Sequence, residues 1–196
     1  MKLHFKSEKE KRQIQKEGLL LERKGLLKPK AIELGQKFRN KIESGVLPKV
    51  FIRFINENIG HGAFLEERLK KGEFAGEYTG LVRENEHTYF APLNNYLMEY
   101  PVNDRLGRSF VVDATHGNIC RFYNHSTKPN LQIQYAYLDG FYHVILLTLR
   151  SVKKGSSLLM ITVQITGCFE ILQKNFIEEG IFKRHAGILI LFRGLR

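Results

Sequence analysis

The chain of 196 residues has no tryptophan, two cysteines, and no tyrosine beyond Tyr142. Cys120 and Cys168 stand in no metal-ligand spacing and are too few for a disulfide scaffold. A reducing compartment is therefore expected: a cytoplasm, a nucleus or nucleoid, or a host cell into which the protein is secreted. No apolar run reaches the ~20 residues needed to cross a bilayer. The first residues lack a signal-peptide core, so a soluble protein with no membrane partner is expected. Internal repeats and low-complexity segments are also missing, which removes solenoids and compositional arrays.

Acidic residues are scarce beside basic ones: 20 Asp and Glu face 31 Lys and Arg, for a formal charge of +11. Seven of those charges fall in residues 1–46, where thirteen Lys and Arg accompany six Glu. The excess favours an acidic partner or a basic surface over a membrane interior. On helices such a run reads either as a solvated face or as an arm for weak nucleic-acid association. With 43% hydrophobic residues and a mean hydropathy of −0.27, there is apolar material for one main core.

Residues 7–25 and 30–44 have apolar positions at helical spacing, Leu19 to Leu21 and then Ile32, Leu34, Phe38 and Ile42, with a break near Pro29. They predict a two-helix arm. From Val50 the texture changes to short β-branched and aromatic runs punctuated by glycine, as in "VFIRFI", "GEFAGEYTGLV", "SFVVDA" and "YHVILLTLR", which predict a mainly β domain with long loops. "FAPLNNYLMEYPVND", with its two prolines, reads as a loop or a short strand insert.

Four segments carry the candidate chemistry. "NIGHGAFLEERLKKGEFAGEYTG" places Gly60 and Gly62 on either side of His61, where the backbone can approach a ligand closely or take a positive φ. "YLMEYP" and "VVDATHGN" follow. "RFYNHSTKPN" then packs an Asn-His-Ser triplet and a Pro-Asn turn into one stretch. Singly each has a plain reading: His125 as a satisfied core histidine, Asn124 as a turn former, Tyr78 and Tyr96 as packed strand aromatics. Their order and spacing together are specific.

Over residues 48–159 that ordered set resembles the SET-domain family of S-adenosylmethionine-dependent protein lysine methyltransferases. The likeness rests on Gly60-His61-Gly62, Glu77-Tyr78-Thr79-Gly80, Asp113-Ala114-Thr115, Gly117-Asn118, and Arg121-Phe122 running into Asn124-His125-Ser126 and Pro129-Asn130. It implies a mainly β, β-clip fold of several small sheets with a knot-like C-terminal threading, behind the α-helical arm of residues 1–46. It implies S-adenosylmethionine as cofactor. Asn124 would hold the cofactor's amino group, and His125 would present its backbone to the adenine edge. Gly60, His61 and Gly62 would pass against the methionine portion, with Arg121 in the same cofactor-binding set. Tyr78 and Tyr96 would be the catalytic pair, lining a narrow channel for a lysine of a histone or histone-like protein.

The residue types suit that chemistry. Methyl transfer from a sulfonium to a neutral amine is a displacement along one line, so alignment and desolvation supply most of the rate. Aromatic walls attract the cations through their ring faces, and a dry channel beside positive charge lowers the lysine pKa. A basic surface would repel a basic substrate tail unless acids such as Glu66, Glu67, Glu84 and Glu86 line the groove.

The sequence departs from the family in two places. Thr127 stands where a zinc-binding cysteine follows Asn-His-Ser, and no cysteine-rich segment comes later, so no metal is expected. After "LRSVKKGSSLL" the family continues with a Tyr-Asp-Tyr-Gly block, whereas this chain reads "MITVQITGCFEILQ". Codon arithmetic accounts for the loss. Read one base early, the last base of the Leu159 codon plus AT of Met160 permits tyrosine, and the remaining G plus AT of Ile161 compels aspartate. The frame can then spell Tyr-Asp-Tyr-Gly, two residues, Tyr-Trp. Residues 160–196 are thus a suspected out-of-frame tail, expected to be poorly ordered or irregularly packed, and its "GILILF" stretch prone to association. The other reading is a non-catalytic SET-like binding module whose basic arm docks on nucleic acid or chromatin-like proteins.

Overall fold

The computed structural model describes residues 2–85, 94–103, 108–161, 182–185 and 188–191. Cys168, Glu86 and most of residues 160–196 lie outside them.

Helix α1 (Glu8–Arg23) starts at Ser7, whose hydroxyl accepts the Glu10 N–H at 3.1 Å, and Glu8 and Glu10 sit in the first turn where the dipole favours them. Helix α2 (Pro29–Ser44) opens on proline at its first position, where the missing N–H costs nothing, and closes on Gly45 in the left-handed region. Both lie within two residues of the predicted spans. Their seating depends on two glycines. A Cβ at Gly18 would fall 2.1 Å from the Gly140 carbonyl oxygen, and one at Gly35 would fall 1.8 Å from that of Tyr137. The helix backbones therefore rest directly on the hairpin of β9 (Leu131–Leu138) and β10 (Phe141–Thr148).

The body has the expected mainly β architecture of several small sheets. One sheet runs β1 (His4–Phe5), β5 (Leu81–Glu84), β7 (Ser109–Asp113), β6 (Leu97–Asn103). A second runs β4 (Phe74–Glu77), β10, β9. Three two-stranded sheets pair β2 (Val50–Asn56) with β3 (Gly60–Leu65), β8 (Asn124–His125) with β11 (Leu159–Met160), and β12 (Phe182–His185) with β13 (Ile188–Leu191). No helix among the described residues is long and apolar enough to cross a membrane.

One element lies outside the sequence reading, and a second resolves an alternative it left open. Strand β1 pairs in parallel with β5, His4 against Leu81 and Phe5 against Val82, so the segment before α1 adds an edge to the body's sheet. The stretch read as a loop or a short strand insert holds the seven-residue β6. Its Pro101 is tolerated because the register with β7 breaks between Tyr100 and Asn103, where the ladder needs no N–H.

The arm also shares the core. Leu34, Phe38 and Ile42 of α2 pack with Phe74, Ala136, Ile145 and Leu147. Ile14 and Leu27 join a second cluster with Tyr78, Val82, Tyr100, Val112, Tyr123 and Val144. This burial, at roughly 1.5–3 kcal/mol per large side chain, fixes β4 and therefore the residue that follows it, Tyr78.

Candidate active site

The turn between β2 and β3 is shaped by Asn56, whose side chain accepts the Ile59 N–H at 2.9 Å, and by Gly60 at φ +74°. The His61 ring stands edge-on between Phe54, 5.5 Å away, and Phe122, 6.4 Å away. A Cβ on Gly62 would lie 2.7 Å from Ile55 Cδ1 and 3.0 Å from Asn124 Nδ2. Across 63 positions of sequence, Asn124 Nδ2 donates to the His61 carbonyl at 3.1 Å. The two glycine-flanked and amide-bearing segments thus meet and form one cradle.

Asn124 and His125 are held there by their backbones, in parallel register with Leu159 and Met160. Ser126 N–H adds a bond to the Met160 carbonyl at 2.9 Å. Asn130 closes the arrangement: its side chain donates to the Ser157 carbonyl at 2.8 Å and accepts the Leu159 N–H at 2.8 Å, and its backbone N–H reaches the Leu159 carbonyl. At 6% exposure these bonds are shielded from water. Leu158 N–H bonds the Ala63 carbonyl, which ties the same segment to β3.

The second half of the site is a buried wall. Tyr78, 2% exposed, donates its hydroxyl to the Tyr96 carbonyl at 3.0 Å. Burial first, and Cys120 nearby second, push this phenol well above its ordinary range, so it remains a neutral donor. The Arg121 guanidinium lies over the Tyr96 ring at 4.2 Å and near the Phe122 ring at 5.3 Å, and donates to the Thr115 carbonyl. Among the described residues its Nε is buried without a hydrogen-bond partner. Arg121 thus reaches the Tyr96 ring on one side and, through Phe122, the His61 ring on the other.

Behind the wall, Asp113 accepts from Thr115 N–H at 3.0 Å, from the Thr115 hydroxyl at 2.6 Å and from Arg83 Nε at 3.0 Å. Burial works to raise its pKa, but the bonds from Thr115, Arg83 and Asn94 outweigh it and hold the carboxyl below its usual range. Asn118 caps Cys120 N–H and donates to the Glu77 carbonyl at 2.7 Å, which fixes the end of β4 next to Tyr78. Burial pushes the Cys120 thiol up to about 12, so it is an inert packing group.

The sequence reading did not anticipate Ile55 and Phe54 as neighbours of the glycine turn, nor the clamping roles of Asn118 and Asn130. The two asparagines stood in the quoted motifs, but their partners are remote in sequence. Glu67 pairs with Lys49 and Glu84 with Arg108, so two of the acids expected to line a substrate groove are matched to local cations.

Cradle and wall meet through the rings of His61 and Phe122 and the Arg121 guanidinium. A model of the SET domain matches residues 60–160, just over half of the sequence, and the chain belongs to the SET-domain family. It is 35% identical over 111 residues to the histone-lysine N-methyltransferase ASHH3 of Arabidopsis thaliana, a match covering 52% of this chain and 29% of that protein. It is 30% identical over 123 residues to the histone-lysine N-methyltransferase Su(var)3-9 of Drosophila melanogaster, covering 57% of this chain and 19% of that one. The shared region is thus less than a third of either relative. Among solved structures, the Chaetomium thermophilum polycomb repressive complex 2 has a chain that superposes with a TM-score of 0.50 at 23% identity, over 61% of this chain and 16% of the other, a likeness of fold.

Proposed function

We propose that the chain moves a methyl group from S-adenosylmethionine to a lysine amine of a protein, a histone or histone-like one. The observation that carries this reading is the Asn124 amide bonded to the His61 carbonyl against Gly62, with Tyr78 and Tyr96 behind. The names of both relatives support it.

The residues present fit the donor. Gly60, in a left-handed conformation, opens onto unfilled space, and Gly62 leaves bare the volume a Cβ would claim beside Asn124. Among the described residues the Asn124 side-chain carbonyl accepts no bond, so it is free for an ammonium. When bound, S-adenosylmethionine supplies a methyl group made electrophilic by its sulfonium. Gly60, His61, Gly62, Asn124 and the His125 backbone hold it. Tyr78 and Tyr96 exclude water from the incoming amine. The fixed charge of Arg121 beside them favours the neutral amine, which is the nucleophilic form.

Titration calorimetry with S-adenosylmethionine tests the reading. Asn124→Ala should weaken binding roughly 10- to 100-fold, the ~1.5–3 kcal/mol of a hydrogen bond to a charged group. If the wild-type chain gives no binding heat, the non-catalytic module is the better reading; the missing Tyr-Asp-Tyr-Gly block points to impaired activity. Turnover on histone substrates is accordingly expected to be slow. Residues 160–196 are read here as the product of a one-base shift. Translating the neighbouring frame of the gene should spell Tyr-Asp-Tyr-Gly from position 160, and a chain carrying that frame should methylate faster; any other translation removes the idea.

A further inference from the structure

Helix α1 separates its charges more sharply than its composition suggests. Lys9, Arg12, Lys16 and Arg23 recur at offsets of three, seven and fourteen, which sets them on one exposed ridge. The opposite face carries the buried Ile14 and Gly18. The helix's acids are elsewhere. Glu22 accepts the Tyr137 hydroxyl at 3.0 Å, Glu8 pairs with Lys11 at 3.8 Å, and Glu10 and Glu17 are half-buried.

The ridge cations also differ from those of α2. There Arg39 is bonded to Asp139 and Glu43, while Lys37 and Lys41 lie over the Phe38 and Phe74 rings at 5.3 and 5.8 Å. Among the described residues Lys9, Arg12, Lys16 and Arg23 have no ion pair, hydrogen bond or ring contact. Three of them line a shallow depression of about 210 Å³ together with Gln15, Leu19 and Leu20.

We propose that this ridge of α1 is a docking surface for the phosphate backbone of a nucleic-acid duplex. From Lys9 to Arg23 the ridge runs about 21 Å at 1.5 Å per residue, the axial length of roughly six phosphates of one strand. A protein interface would need an apolar centre, and the ridge exposes only Leu19, at 36%. A membrane would need the helix's apolar face, and that face is seated on Gly140. Repeating anionic groups without an apolar partner are what remain. This surface does not involve the cofactor site, so it stands or falls separately from methyl transfer.

Fluorescence anisotropy of a labelled 20-base-pair DNA duplex with the full chain, between 50 and 200 mM NaCl and without cofactor, is the test. Four phosphate contacts predict a log–log salt slope of about −3.6 and a loss of affinity on the order of 100-fold across that range. The variant R12Q/K16Q/R23Q should retain a slope of only about −1, and R12Q alone should lose about 0.9. Circular dichroism melting checks that these exposed changes leave the fold intact, and K71Q/K153Q/K154Q removes the same charge elsewhere on the surface. A wild-type slope shallower than −1 overturns the proposal. So does an equal loss in the control variant, or binding of polyglutamate or phosphatidylserine vesicles as tight as that of the duplex.

Discussion

On one side of the candidate site Tyr78 is sealed in the core, its hydroxyl committed to the Tyr96 carbonyl and its strand pinned by Asn118. On the other, Asn124 is half-buried, Gly60 opens onto empty space, and Phe54 and Ile59 are 54% and 51% exposed beside it. The wall is over-determined by the fold: its position follows from the same packing that stabilises the protein. The cradle is not. Among the described residues it keeps an unmatched Asn124 side-chain carbonyl and uncovered apolar surface, groups that folding normally pairs or buries and that the proposed ligand would complete. Binding can therefore be altered on the cradle side at little cost in stability, whereas any change to the wall is first a change in folding.

The largest expected effect is on the wall. Tyr78→Ala should cost about 3–5 kcal/mol in unfolding free energy, as deletion of a fully buried aromatic ring does; urea denaturation showing under about 1 kcal/mol would mean the wall is looser than its burial indicates. A smaller effect belongs to Asp113. Its folded pKa is depressed, so its contribution is fully present above the unfolded carboxylate value near 3.9 and is lost as pH falls through the lower folded value. The stability gap between wild type and Asp113→Asn should be constant above about pH 5 and narrow below about pH 4. A gap unchanged at pH 3 would contradict this. Smallest of all, Asn124→Ala should shift stability by no more than about 0.5 kcal/mol, since its bond is exposed, while still weakening cofactor binding. Equal losses of stability from Tyr78→Ala and Asn124→Ala would erase the distinction between the two sides.

What was legible in the sequence was what local chemistry specifies. Apolar residues at helical spacing and the break near Pro29 found α1 and α2 nearly to the residue, and the caps at Ser7 and Gly45 show why they end there. The runs around Phe51, Phe74, Val111 and Ile145 gave their strands by β-branched content. What escaped depends on distant partners. Strand β1 is two residues long and exists only because β5, more than seventy positions on, offers an edge. At β6 the sequence left loop and strand open, because the bulge that admits Pro101 is a property of the pair. The site residues Asn124, Gly60 and Gly62 came from a resemblance of motifs, because nothing local in either segment says that an amide will meet a carbonyl 63 positions away. The place of Arg121 over the Tyr96 ring is likewise a matter of packing between segments remote in sequence.

The backbone contacts at Gly18 and Gly35 bear on how this protein can be cut. Because the two helices press carbonyl to helix axis against β9 and β10, an expression boundary drawn at residue 46 to isolate the family domain would strip Leu34, Phe38 and Ile42 from one face of that hairpin. The shortened polypeptide would present Phe74, Ile145 and Leu147 to solvent and should be recovered as aggregate, whatever its ability to bind a methyl donor.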